Sequence, residues 1–456
     1  MGRLQDFAAL CEGRLVGEDR LYTAVNTDTR TLAPGELYLA LRGPRFDGNA
    51  FVSAAAAAGA VGAVVDRPVK GVTLPLIHVD DGQQALTRAA SAWRARYAGV
   101  VVGVAGSNGK TTTKEMIAAI LAQRGASLAT RGNLNNHIGV PLTLLRLTAE
   151  HLSAAIEIGA NHPGEVAELV AIARPQVGVI TNAGAEHLEG FGDLNGVARA
   201  EGEMVAGLAP DATAVLNADD PYIDLWRGMT SARVVSFGLD HPADYSAVDI
   251  NQTLTAEGFR TAFTLRTPAS SIPVQLNLGG RHNLLNALCA AAAAQAAGAT
   301  LEHIAAGLAG MQPVGGRLKP VRTACGARLI DDSYNANPSS MKAGIEVLTS
   351  LPGRAWLVMG DMGELGDEAR ASHVEMGAFA RTQGVERLFA TGPLSTLAVE
   401  AFGTGASWYP DTESLKRALA QQLTGDVVLL VKGSRLNRLE HVVAALTGAS
   451  AAEGAH

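Results

Sequence analysis

Cysteine is scarce in this chain, and the three that occur, Cys11, Cys289 and Cys325, lie far apart and follow no CxxC spacing. That excludes a disulfide framework or a zinc site built on paired cysteines, and leaves buried, reduced thiols of a cytoplasmic protein as the expectation. Long apolar runs are missing too. The alanine-rich stretches 50–65 and 287–299 are shorter than a membrane span and read as packed helices, so no membrane insertion is expected. The opening MGRLQDFAALCEG lacks the long apolar segment of a secretory leader, and Asp6 stands where a myristoylation pattern needs Ser or Thr. A block of Lys and Arg is also absent, and a formal net charge of -7 argues against a nucleic-acid groove. No internal repeat is evident, and 456 residues suffice for two or three domains with substantial cores.

What the chain does have is GSNGKTTTKE, from Gly106 to Glu115, placed between the apolar run GVVVGVA and the helical pattern MIAAILAQ. A strand, a glycine-rich turn and a helix start in that order make a phosphate cradle. Backbone N–H groups wrap phosphate oxygens at the positive end of the helix, Lys110 reaches the terminal phosphates, and the Thr111 hydroxyl is placed for Mg²⁺. Candidate nucleotide contacts are therefore Gly106, Ser107, Asn108, Gly109, Lys110, Thr111 and Thr112. The spacing is a variant one, because Val104 occupies the place of the first glycine in the standard loop and glycines stand instead at 103, 106 and 109. ATP with Mg²⁺ is the expected cofactor pair.

Alternating strand-like and helical segments predict an α/β protein of three domains. Residues 1–97 read as a small α/β unit with strand-like LYLAL, AVGAVV and LPLIHV, closed by a helix over Gln83 to Tyr97. Residues 98–312 read as a P-loop ATPase-like unit on a mainly parallel sheet, with antiparallel strands added between Thr253 and Leu278. Strand ends place Gly106, Glu157, Asn182 and Asn217 on one rim. After the Pro- and Gly-containing hinge MQPVGGRLKP, residues 313–456 read as a Rossmann-like unit without a GxGxxG turn, ending in a tail, SAAEGAH, expected to be disordered.

The turn together with TRGNLNNHIGVPLTLL, EIGANHPGE, TNAGAEHLEGFG, GRHNLLNAL, GRL and DDSYNANPSSM, and the N-terminal TDTR and ALRGPRFDGN, resembles the Mur ligase family over essentially the whole chain. The resemblance implies a monomeric ATP-dependent amide ligase. More narrowly it implies one that joins D-alanyl-D-alanine to UDP-N-acetylmuramoyl-tripeptide through an acyl phosphate, for peptidoglycan synthesis. The first domain would hold the UDP-sugar, the second ATP, and the third would rotate in with the amine.

Residue by residue, the resemblance implies catalytic roles for Lys110, His187 and Arg317, and metal contacts for Thr111, Glu157 and His187. Asn283 and Asn286 match adenine-side positions, while Arg317 and Asp332 match positions that reach phosphates and ribose. Thr27, Asp28, Thr29 and Arg30 match the uridine stretch, though TDTR also has the composition of a simple turn. Asn135 and Asn136 match the muramoyl-side loop. Asn335, Asn337 and the loop KGSR fall at strand ends of the third domain, where a cation can meet the carboxylate of the dipeptide. One departure stands out: the family commonly carries a carbamate-modified lysine where Glu201 falls, and a glutamate is roughly 3–4 Å shorter. Glu201 is expected either to reach a second Mg²⁺ through water or to be a surface helix residue. Rival readings are a sister ligase, either the third-residue-adding ligase or a folylpolyglutamate synthase, and an ATP-binding regulatory protein that does not ligate.

Overall fold

The computed structural model describes residues 2–44, 46–255 and 258–448, so the tail expected to be disordered lies outside the described residues. Three sheets organise the chain. The first has five strands in the order Arg14–Val16, Leu76–His78, Gly62–Val65, Leu37–Leu39, Val25–Asn26, parallel except for its first, antiparallel member. Helix Gly82–Ala95 buries Ala85, Leu86 and Ala89 against this unit, and Asp81 caps its start by accepting from Gln84 N–H. The far end of the helix is tied to the next layer. Trp93 donates to Leu147 O at 2.9 Å, and the buried Arg94 guanidinium donates to Ala173 O and Arg174 O.

The central sheet is wholly parallel, in the order Ser127–Ala129, Ser153–Glu157, Val100–Ala105, Val177–Ile180, Thr213–Asn217, Arg233–Phe237. Its strands are continuous apolar runs because both faces are covered. One face packs on helix Lys110–Leu121 and on the nearly all-buried helix Arg281–Ala296, the other on Leu169, Val170, Met204 and Trp226. Successive strands are laid down on either side of Val100–Ala105, so the order reverses there, and ligands collect at the carboxyl ends of strands at such a reversal. Beside this sheet lie three antiparallel strands, Ser246–Leu254, Phe259–Arg266 and Ser271–Leu276. The first begins well before the expected Thr253, because its half-exposed residues carry no clean alternation.

The third sheet runs Lys319–Arg322, Arg328–Asp332, Val427–Lys432, Arg354–Gly360, Arg387–Thr391, Ala406–Tyr409, with only the first strand antiparallel. Two sequence expectations need correction. The stretch 50–65 is not one helix: helix Val52–Ala57 ends early and Gly62–Val65 is a buried strand, in line with the strand-like reading of AVGAVV. Cys325 is exposed, on the turn between the edge strand Lys319–Arg322 and its neighbour Arg328–Asp332, whereas Cys11 and Cys289 are buried as expected. No helix among the described residues is long and apolar enough to cross a membrane.

Candidate active site

The turn after strand Val100–Ala105 owes its shape to two glycines. Gly106 and Gly109 have φ of +117° and +82°, the left-handed region that side chains disfavour. A Cβ on Gly106 would stand 2.1 Å from Thr181 Oγ1, and one on Gly109 2.4 Å from Asn286 Oδ1. Neighbouring strand ends hold the turn: Asn182 Oδ1 accepts from Asn108 N–H at 3.0 Å, Thr181 Oγ1 donates to Asn108 O at 2.7 Å, and Ser107 Oγ accepts from Gly184 N–H at 2.8 Å.

Lys110 folds back on this cradle. Its ammonium donates to Gly106 O at 2.5 Å and Ser107 O at 3.1 Å, and pairs with Glu186 Oε1 at 3.1 Å. Burial alone would lower its pKa, but Glu186, Glu201 and Glu157 outweigh burial and raise it, so the site keeps a fixed positive charge. Glu157 ends the adjacent strand and is buried; its Oε1 accepts from Asn135 Nδ2 at 2.9 Å, while Oε2 is buried with no hydrogen-bond partner. An orphaned carboxylate oxygen on a residue that lines the same cavity as Thr111 and the phosphate turn is the donor chemistry a hard divalent cation needs. Among the described residues no group of three or more His, Cys, Asp or Glu side chains is placed to hold a metal, so phosphate oxygens and water would have to complete the shell.

The third sheet closes the other side. Arg317 donates to Thr111 Oγ1 at 2.9 Å and lies 4.4 Å over the Tyr334 ring. Asn337 caps helix Pro338–Ser350 with its oxygen and donates through Nδ2 to Asn108 Oδ1 at 2.8 Å; Asn108 in turn donates to Ser339 Oγ at 3.0 Å. Asp332 pairs with the buried Lys432 at 2.6 Å, and Lys432 also donates to Asn335 O. Lys432 is therefore not a free cation for a dipeptide carboxylate.

A cavity of about 650 Å³ lies between these elements. Ser107, Asn108, Gly109, Lys110, Thr111, Thr112, Asn135, Glu157, His187, Asn283, Asn286, Arg317, Asp332, Asn335 and Asn337 all line it. Asn283 and Asn286 are buried, linked at 3.3 Å, beside His282, whose imidazole burial pulls down to about 4. The other expected residues sit elsewhere. Asn136 accepts from Ile138 and Gly139 N–H, bracing its own loop. Thr27, Asp28, Thr29 and Arg30 form a turn of the N-terminal unit, half-buried except for the exposed Arg30, in which Asp28 pairs with Arg30 at 2.6 Å.

Glu201 is not a surface helix residue. It is buried and accepts from Gly106 N–H at 2.6 Å, and burial pushes its carboxyl up to about 7 against the downward pull of Lys110. It stands behind the turn rather than in the cavity lining. Among the lining residues that escaped the sequence reading are Glu186, His282, Tyr334, Ser339 and Glu364. Glu186 and Tyr334 stood inside motifs already singled out, AGAEHLEG and DDSYNANP; nothing local marks Glu364.

Residues 21–94 match the Mur ligase family catalytic domain, 104–294 the Mur ligase middle domain, and 316–435 the Mur ligase glutamate ligase domain. The chain is 44% identical over 446 residues to the UDP-N-acetylmuramoyl-tripeptide--D-alanyl-D-alanine ligase of Escherichia coli (strain K12), covering 97% of this chain and 98% of that one. It is 35% identical over 452 residues to the Bacillus subtilis (strain 168) protein of the same name, covering 96% and 97%. Its fold matches the crystal structure of MurF from Acinetobacter baumannii with a TM-score of 0.89 at 34% identity, covering 97% and 98%. MurF ligase from Thermotoga maritima, in complex with ADP, matches with a TM-score of 0.81 at 28% identity, covering 93% and 97%. Folylpolyglutamate synthase from Mycobacterium tuberculosis, at 18% identity and a TM-score of 0.63, shares the fold alone. Sequence and structure therefore agree along the length of the chain, and it belongs to the Mur ligase family.

Proposed function

We propose that this protein is an ATP-dependent carboxylate–amine ligase that joins D-alanyl-D-alanine to UDP-N-acetylmuramoyl-tripeptide, giving the UDP-muramoyl pentapeptide of peptidoglycan synthesis. The observation that carries the reading is the single cavity in which a phosphate turn, an orphaned carboxylate oxygen and the polar strand ends of the third sheet meet. Relatives of that name, aligned over nearly the whole chain, support it.

In this reading residues 1–97 hold the UDP-sugar, with Thr27 to Arg30 at the uridine, 98–312 hold ATP, and 313–456 bring the amine. The tripeptide carboxylate attacks the γ-phosphate, ADP leaves, the dipeptide amine attacks the acyl phosphate, and phosphate departs. Two anions must first approach one another. Lys110 and the backbone N–H groups of the turn offset their repulsion, and Arg317 adds a second charge only when the third sheet is docked. Asn283 and Asn286 are assigned to the adenine and Asp332 to the ribose, a reading supported by their places in the cavity lining. Thr111 and Glu157 are the residues that would hold Mg²⁺, which supplies charge neutralisation between the phosphates. Closure keeps water from the acyl phosphate.

The deciding experiment measures phosphate release from ATP plus UDP-muramoyl tripeptide, with and without D-alanyl-D-alanine, and follows the nucleotide-linked product by mass. Dipeptide-dependent release with the matching mass gain is expected. Release indifferent to the dipeptide, with no gain in mass, would sink the proposal in favour of a sister ligase or a non-ligating ATPase.

A further inference from the structure

Two non-glycine residues in left-handed backbone conformation meet across the cleft. His187 has φ +48° and opens the short helix Leu188–Phe191; Glu364 has φ +62° in the loop after strand Arg354–Gly360. Strain of this kind persists where surrounding contacts over-determine it, and it clusters at functional sites. Here the contacts are two. Glu364 Oε2 lies 2.8 Å from His187 Nδ1, and Glu364 O accepts from Leu188 N–H at 3.0 Å. A side chain and a backbone carbonyl of one loop thus grip consecutive residues of the other.

A carboxylate accepts, so the nitrogen it faces, Nδ1, is the donor of this contact, and Nε2 is the ring nitrogen left for another partner. Both residues line the cavity. The nearer carboxylate in sequence, Glu186, is engaged by Lys110, so the pairing of His187 falls to a residue 177 positions away on the third sheet. The contact does little for the core, since the Glu364 side chain is 58% exposed.

We infer that Glu364 is a positioning residue for His187, fixing its tautomer and ring so that Nε2 faces the reacting phosphate or its metal only while the third sheet is docked. Outer partners of this type hold ligating or catalytic histidines in many sites. The inference rests on the ligase reading and on a working role for His187, and the test separates the three. Full-length wild type, E364A, E364Q, H187N and E364A/H187N are compared in dipeptide-dependent phosphate release, with kcat and the KM for ATP read separately.

E364A is expected to lower kcat about 10–100-fold with the KM for ATP and the melting temperature unchanged, and E364Q, which keeps an acceptor oxygen, to recover most of that loss. In the H187N background, E364A should change kcat by less than about twofold, because its effect passes through the imidazole. An E364A enzyme within about twofold of wild type, no recovery with E364Q, or an equal fold-loss in both backgrounds would overturn the inference. H187N turning over at the wild-type rate would overturn the role of His187 and the positioning with it, while wild type lacking dipeptide-dependent release would instead strike at the ligase reading.

Discussion

Glu201 shows how one side chain can hold a phosphate turn at a cost in stability. Its carboxyl, buried behind the turn, is raised from the ordinary 4.5 to about 7, so the folded protein binds this proton more tightly than the unfolded chain does. The stabilisation from the bound proton is fully present below pH 4.5 and is lost as pH rises through 7. Glu201→Gln keeps an acceptor for Gly106 N–H without the titrating charge. Denaturant unfolding of the nucleotide-free protein should therefore show the variant gaining on wild type between pH 5 and 8, by an amount on the order of 2–3 kcal/mol at the top of the range. Parallel pH profiles for the two would contradict this account. At Gly109 the constraint is geometric. Gly109→Ala places a methyl carbon against Asn286 Oδ1 in a left-handed conformation that costs about 1–2 kcal/mol by itself, so calorimetry should find ADP binding weakened at least about tenfold.

Helix packing against the central sheet depends on small residues. Gly307, in helix Leu301–Gly310, faces helix Lys110–Leu121 so closely that a Cβ would lie 2.5 Å from Ile120 Cα. Alanine at this position gains about 1 kcal/mol of helix propensity but overpacks a backbone contact, which typically costs about 1–3 kcal/mol. Gly307→Ala should lower the urea midpoint; a raised midpoint would mean that the helices slide apart freely. Elements of this kind were partly legible in advance. Strands such as Val100–Ala105 and Val427–Lys432 announced themselves because both faces of their sheets are covered and the runs are unbroken. Ser246–Leu254 did not, because an exposed strand with a register shift between Val248 and Asn251 leaves no period-two pattern. In the site, the phosphate turn was readable because its residues are consecutive. Glu364 against His187 and Tyr334 against Arg317 bring together loops from different elements, and local pattern carries no trace of such pairings.

For the whole molecule, the polar contacts between the phosphate turn and the third sheet set how easily the cleft opens. Asn337 has two separable duties, capping helix Pro338–Ser350 and donating to Asn108. Asn337→Asp keeps the cap and removes the donor, setting a carboxylate opposite Asn108 Oδ1. Melting temperature should stay level while small-angle scattering reports a larger radius of gyration for the nucleotide-free protein; an unchanged radius would assign closure to the remaining contacts. Arg317 adds a different kind of coupling. Its guanidinium now lies between the Tyr334 ring and the Thr111 hydroxyl, so a cation arriving at that hydroxyl meets a like charge already in place. A metal ion held by Thr111, as the proposed reading has it, would compete with the linking segment for that one oxygen atom. On the proposed reading the hinge would act as a gauge of cargo: filling the cradle would unhook the arm that held it, leaving its guanidinium free to turn to the anionic phosphates that arrive with the metal.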